Sequence, residues 1–173
     1  MQQAALTPAR LAPDWQALIS SLPSPKVLFV CGTDTDVGKT FITTQIARAA
    51  LQAGSMVHLI KPVQTGVRPN QPGDVEMILT ALGAHSGLSG QTLYRFEPPA
   101  APWPADVEGL LNDDVLISQI RQAIKADGVT LIEGAGGLRV PITKSLDMLG
   151  LIQALEVPTV LVTRPNLGTI NHT

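Results

Sequence analysis

The chain has 173 residues, 45% of them apolar and 15% charged, and 12 basic against 14 acidic side chains leave a formal charge of −2. A single domain of this length buries about 70% of the surface its unfolded chain exposes, and no basic block or stripe of the kind that tracks nucleic acid is present, so the expected partners are small molecules rather than nucleic acid. Cys31 is the only cysteine, no apolar stretch approaches the ~20 residues of a bilayer crossing, and no secretory pattern opens the chain, which sets the expectation of a cytoplasmic protein with no disulfide and no membrane partner.

Residues 1–25 form an N-terminal extension rich in Ala, Gln, Leu and Pro. The spacing of Trp15, Leu18, Ile19 and Leu22 predicts a short helix over 14–22, with Trp15 as a core anchor. Pro23 and Pro25 separate it from the main domain, 26–173. A short, mostly apolar run with two β-branched residues at 26–30 predicts the first strand, and apolar residues at helical spacing predict a helix over 39–53. Between them lies Cys31-Gly32-Thr33-Asp34-Thr35-Asp36-Val37-Gly38-Lys39-Thr40. A loop that joins a buried strand to a helix and ends in Gly-Lys-Thr has a specific chemical use. Its backbone N–H groups and the helix start cradle phosphate oxygens, the lysine reaches the outer phosphates, and the hydroxyl can hold Mg²⁺. The match is not to the strict spacing, because five residues separate Gly32 from Gly38 and Thr33 stands where the first glycine would be.

A second strand is predicted at 56–60, ending through Pro62 and Gly66 in a loop that places Lys61 and Thr65 beyond the strand's carboxyl end, where ligands sit in open parallel sheets. Asp74 follows a polar loop as the expected N-cap of the next helix, within reach of a metal held near phosphates. His85 has no partner at ligand spacing. The four prolines in 97–105 exclude helix and central strand and predict an extended loop or lid. A long helix is expected from an Asp113 or Asp114 cap to about residue 127, and an apolar strand from 129 delivers Glu133, at its carboxyl end, into the Gly-rich turn Gly134-Ala135-Gly136-Gly137. There a carboxylate at a strand's carboxyl end can coordinate Mg²⁺ or accept from an amine. A helix at 146–155, a strand at 159–163 and the start of a further helix near 166–173 complete the series. Alternating short strands and helices predict a three-layer α/β domain with a mostly parallel sheet, right-handed crossovers and a P-loop NTPase-like fold.

Four stretches in this order, the phosphate loop from Gly32 to Thr40, Lys61-Pro62-Val63-Gln64-Thr65-Gly66, Glu133-Gly134-Ala135-Gly136-Gly137 and Leu167-Gly168-Thr169-Ile170-Asn171-His172, closely resemble the dethiobiotin synthetase family. The resemblance covers 26–173. It implies an ATP- and Mg²⁺-dependent ligase of biotin biosynthesis that closes the ureido ring of dethiobiotin on 7,8-diaminopelargonate with CO₂, drawn from bicarbonate. By the same resemblance Asp36, Val37, Gly38, Lys39, Thr40 and Phe41 wrap the triphosphate, and Lys39 and Lys61 are the catalytic cations. Thr40, Asp74 and Glu133 surround Mg²⁺, while Thr65 touches the diamine end of the substrate. Glu133, Gly134, Ala135 and Gly136 border nucleotide and substrate, and Gly168, Thr169 and Asn171 bind the substrate carboxylate from the other subunit of a homodimer.

Three departures qualify the match. Asp36 stands where many members have Glu, Trp103-Pro104 stands where many have Pro-His, and the segments by which members read adenine have no counterpart after Thr173. The last departure makes a truncated, weakly active form one alternative expectation. A nucleotide switch of the partitioning type is another, weakened by Asp34 standing where those loops carry a lysine. A cobyrinate diamide synthase relative is a third, and it lacks here the catalytic cysteine of a glutamine-hydrolysing domain.

Overall fold

The computed structural model describes residues 13–173; the expectation for residues 1–12 lies outside the described residues. Five parallel strands, β1 (Lys26–Gly32), β2 (Val57–Thr65), β3 (Leu88–Phe96), β4 (Val129–Gly137) and β5 (Thr159–Val162), form one sheet in the order β3-β2-β4-β1-β5. The helices are α1 (Trp15–Ser21), α2 (Lys39–Gln52), α3 (Asp74–Leu82), α4 (Pro102–Ala105), α5 (Asp113–Ala123) and α6 (Met148–Leu155), followed by a 3₁₀ turn over Thr169–His172. Among the described residues no helix is long and apolar enough to cross a membrane.

Strand β1 shows why the sheet is covered on both sides. Successive side chains point to opposite faces, so Val27, Phe29 and Cys31 meet Leu116 and Ile120 of α5 and Leu151 of α6, while Leu28 and Val30 meet Ile46, Ala47 and Ala50 of α2 and Ile78 of α3. Phe29, Ile46, Leu116 and Ile132 are fully buried. On the second face α1 adds Ile19, with Leu22 just beyond it, and Trp15 packs there only partly buried.

Four expectations are corrected. Strand β2 does not stop before Pro62 but runs to Thr65; its pairing with β4 ends at Ile60, so the proline lies where only β3 flanks it. Strand β3 is not predicted by the sequence, because Leu88-Ser89-Gly90-Gln91-Thr92 has little β-branched or alternating character, and it forms by pairing along β2 from Val57↔Leu88 to Thr65↔Phe96. The proline-rich segment does contain a helical turn, α4, with Pro102 at its first position, where no N–H is needed. Helix caps also differ. Gly73 rather than Asp74 precedes α3, and Asn112 rather than Asp113 or Asp114 caps α5 by accepting from the Val115 N–H at 3.1 Å. Asp113 instead accepts from the hydroxyls of Thr143 and Ser145 at 2.5 and 2.6 Å.

Candidate active site

The carboxyl ends of β1, β2 and β4 open into one cleft of about 700 Å³, walled on the far side by Pro99 to Pro102. The β1 end carries the phosphate loop. Glycine is required at position 32, because a Cβ there would stand 2.7 Å from Val37 Cγ2 and 2.9 Å from the Asp34 carbonyl oxygen. Asp36 and Gly38 both take left-handed backbone (φ 56° and 101°), which turns the chain sharply into α2. Lys39, 8% exposed, donates to the Asp34 carbonyl at 2.9 Å and so lies along the loop it serves. Burial, then the nearby Lys61 charge, pull its pKa below the ordinary lysine value. An anion in the loop would relieve that penalty.

Lys61, from β2, is the centre of the cleft floor and is 2% exposed. All three of its ammonium hydrogens have acceptors: Asp74 Oδ2 at 2.5 Å, Glu133 Oε1 at 3.1 Å and the Gly134 carbonyl at 2.9 Å. Burial would lower its pKa, but Glu133 and then Asp74 outweigh burial and hold it above the ordinary value. Burial likewise pushes the Asp74 carboxyl up, and the Lys61 charge and hydrogen bond overcome this to leave it below the usual carboxylate range. Two lysines and two carboxylates thus stand together on the floor of the cleft, with Lys39, Lys61 and Glu133 buried and Asp74 partly exposed.

Glu133, 3% exposed, accepts from Lys61 and from the Thr40 hydroxyl, 3.0 Å away, through the same Oε1. Its Oε2 is buried and has no hydrogen-bond partner. A buried carboxylate oxygen without a donor is costly. Beside it, the Thr40 hydroxyl gives its proton to Glu133 and keeps its lone pairs free. These oxygens, with Asp74, suit a hard divalent cation such as Mg²⁺, which takes one or two carboxylates and completes its shell with water and phosphate. Among the described residues no three His, Cys, Asp or Glu side chains cluster to hold an ion by themselves.

Of the residues singled out in the sequence, Asp36, Gly38, Lys39, Thr40, Lys61, Thr65, Asp74, Ala135 and Gly136 line the cleft. Glu133 and Gly134 lie buried directly beneath it, bonded to Lys61. Val37 turns inward to the core on the α2 side, and Phe41 is 65% exposed. Gly168, Thr169 and Asn171 are outside the cleft; Gly168 has φ 95°, and the Thr169 hydroxyl donates to the Arg164 carbonyl at 2.6 Å. Sequence reasoning passed over two residues. Arg164 donates to the Thr35 carbonyl at 3.0 Å and pairs with Asp34 at 3.4 Å, tying the β5 loop to the phosphate loop, and Gln64 lines the cleft and accepts from the Asp74 N–H at 2.9 Å. Gln64 belongs to the Lys61–Gly66 motif, whose polar residues follow a strand, and that is the signal for it; Arg164 carries none.

Comparison with known proteins gives a consistent result. A family model described as an AAA domain matches residues 26–173. The "ATP-dependent dethiobiotin synthetase BioD" of Haloferax mediterranei is 39% identical over 146 residues, covering 83% of this chain and 61% of the relative. Proteins of the same name from Rhodococcus jostii and a Sulfurovum species are 37% and 34% identical over 151 residues each, with 64% and 72% of the relative covered. The chain therefore spans under two thirds of the length of the first two relatives. Among solved structures, the kinase domain of the Escherichia coli tyrosine kinase ETK matches 91% of this chain and 62% of its own, with a TM-score of 0.55 at 17% identity, a likeness of fold alone.

Proposed function

This chain belongs to the dethiobiotin synthetase family, and from that membership we propose that its cleft performs the ATP-dependent carboxylation and ring closure of 7,8-diaminopelargonate. The observation that carries this reading is the Lys61 ammonium, buried, fully hydrogen-bonded and set between the phosphate loop and the Glu133 turn. One amine of the substrate adds to CO₂ and loses a proton, giving a carbamate. A carbamate oxygen then takes the γ-phosphoryl group of ATP, releasing ADP, and the second amine displaces phosphate as it loses its proton and the ring closes. No protein nucleophile enters these steps. What they need is orientation and neutralisation of developing negative charge.

The residues of the cleft suit those tasks. Gly38 and the start of α2 aim backbone N–H groups at a triphosphate, and Lys39 needs only to leave the Asp34 carbonyl to meet its outer oxygens. Lys61 lies where it can exchange a carboxylate for the carbamate and the phosphoryl oxygens in flight. Thr65 stands at the open end of β2, suited to the diamine. Mg²⁺, held by Thr40, Asp74 and Glu133, would supply charge neutralisation between phosphates. Phe41, Val37 and Asp36 would shape the loop rather than touch the reacting atoms. In this reading the substrate's carboxylate is bound by Gly168, Thr169 and Asn171 of a second subunit of a homodimer, consistent with their position outside the cleft of their own chain.

The direct test is ADP release by the 173-residue chain with and without 7,8-diaminopelargonate and bicarbonate. ADP release that requires both, with dethiobiotin formed in equal amount, is the expected result. Release indifferent to both would leave a nucleotide-hydrolysing protein and sink the synthetase reading.

A further inference from the structure

We infer that Gln64 is a positioning residue that fixes where the Asp74 carboxylate stands. This rests on the proposed placement of Asp74 at the metal site and extends it to a residue with no assigned role. The first N–H groups of a helix lack partners within it and are usually taken by a Ser, Thr, Asp or Asn side chain at the N-cap. Here the N-cap is Gly73, which has no side chain. Two side chains serve instead, one from the helix's own first turn and one from the neighbouring strand. Glu76 accepts from the Gly73 N–H at 2.8 Å and is itself paired with Arg95 of β3, while Gln64 of β2 accepts from the Asp74 N–H at 2.9 Å.

The Gln64 amide is oriented unambiguously by its partners. Its Oε1 faces the Asp74 N–H, and its Nε2 donates to the Thr65 carbonyl at 3.2 Å. The side chain is 7% exposed, so it is locked by packing as well. Gly73 makes room for it: a Cβ there would stand 2.8 Å from Gln64 Oε1. Strand β2 therefore grips the start of α3 at two points, with Lys61 on the Asp74 side chain and Gln64 on its backbone. The distinction matters because Lys61 must turn toward the reacting oxygens. At that moment its hold on Asp74 is released, and the Gln64 contact keeps the carboxylate in place.

The test measures metal binding apart from turnover, by electron paramagnetic resonance titration of Mn²⁺ into the 173-residue chain with a non-hydrolysable ATP analogue bound. Gln64→Met keeps the length and volume of the side chain and removes both hydrogen bonds. It should weaken Mn²⁺ binding by about tenfold, the usual effect of losing a residue that orients a ligand. Asp74→Asn should weaken it at least as much, and the double variant should be no weaker than Asp74→Asn alone. Gly73→Ala is the second variant. Its backbone is extended (φ −89°, ψ −172°), so alanine fits without strain, and its methyl displaces the Gln64 amide while leaving Gln64 in the sequence. It should weaken Mn²⁺ in the same direction whether or not Gln64→Met folds. Wild-type Mn²⁺ affinity in Asp74→Asn would overturn the placement of Asp74 at the metal. Loss in Asp74→Asn with none in Gln64→Met or Gly73→Ala would overturn the role of Gln64 alone. Effects of Gln64→Met and Asp74→Asn that simply add would do the same, and a raised KM for the diamine with unchanged Mn²⁺ affinity would make Gln64 a substrate contact instead.

Discussion

Lys61 pairs with two carboxylates at once, and its removal should therefore have two separable effects. Lys61→Met should reduce turnover by far more than it reduces nucleotide affinity, which is governed by the phosphate loop; equal losses in both would mean that Lys61 serves binding alone. It should also destabilise the fold by about 3–5 kcal/mol near neutral pH, the usual cost of leaving buried charge unpaired, against about 0.5 kcal/mol for a surface lysine. The pH dependence follows from the directions of the two shifts. Asp74, held low by Lys61, contributes stability that is present above the ordinary carboxylate pKa of about 4 and lost as pH falls through its folded value. Lys61, held high, contributes stability that is present below about pH 10 and lost as pH rises through its folded value. The stability gap between wild type and Lys61→Met in urea titrations should thus hold from about pH 7 down to about 5 and shrink as pH falls through about 4 and below, and a constant gap across that acid range would show that the pair is not coupled in the fold. At the neighbouring positions, Lys39→Ala should abolish triphosphate binding in calorimetry, and Glu133→Gln should raise the Mg²⁺ concentration needed for activity.

At the scale of elements, the cleft depends on how α3 is held against β2 and β3. Helix α3 lies so close to β3 that a Cβ on Gly90 would stand 2.6 Å from Val75 Cγ1. Gly90→Ala should therefore cost about 1–3 kcal/mol, as overpacking does, and be read as a lowered midpoint of urea unfolding with an unchanged slope. An unchanged midpoint would mean that α3 rides freely over the strand. Strand β3 and helix α4 were the elements least legible in the sequence, for opposite reasons. The first half of β3 carries Ser89, Gly90 and Gln91, whose strand conformation comes from the ladder with β2 and not from their own preference. Helix α4 sits in a run whose prolines argue against helix, yet both Pro102 and Pro104 fall in the first turn, where the missing N–H groups break no helical bond.

At the scale of the whole molecule, the positions proposed to hold the substrate carboxylate decide whether one chain makes a complete site. Asn171 is exposed, and its backbone N–H bonds to the Gly168 carbonyl at 2.9 Å. The N-cap of this turn is Gly168, which has no side chain to cap it. The Asn171 side chain is thus the group this turn can offer a carboxylate, and the linear substrate has its amines and carboxylate far apart. Mixing inactive Lys61→Met subunits with inactive Asn171→Ala subunits should restore activity through hybrid dimers that carry one intact site. No recovery despite demonstrated subunit exchange would place the carboxylate within a single chain.

The sequence by itself determined the α/β alternation, the phosphate loop and the placing of Lys61 and Glu133 just after apolar runs on neighbouring strands, because each is written locally, in hydrophobic period, in the glycines of the loop and in charged residues that follow directly on apolar runs; that both strands continue past these residues, to Thr65 and Gly137, was decided by pairing in the sheet. It also carried enough of the family's motifs for the family to be named from residues 26–173. Tertiary structure alone decided that β4 enters between β1 and β2, which brings Glu133 to Thr40 on one side and to Lys61 on the other. It alone gave Asp74 a salt bridge where the sequence suggested a helix cap, and gave Gln64 the cap instead. Strand order and helix docking arise from the burial of whole faces, which is not encoded near any of these residues. The partners of a charged side chain are then whatever that burial leaves within reach of its last atom.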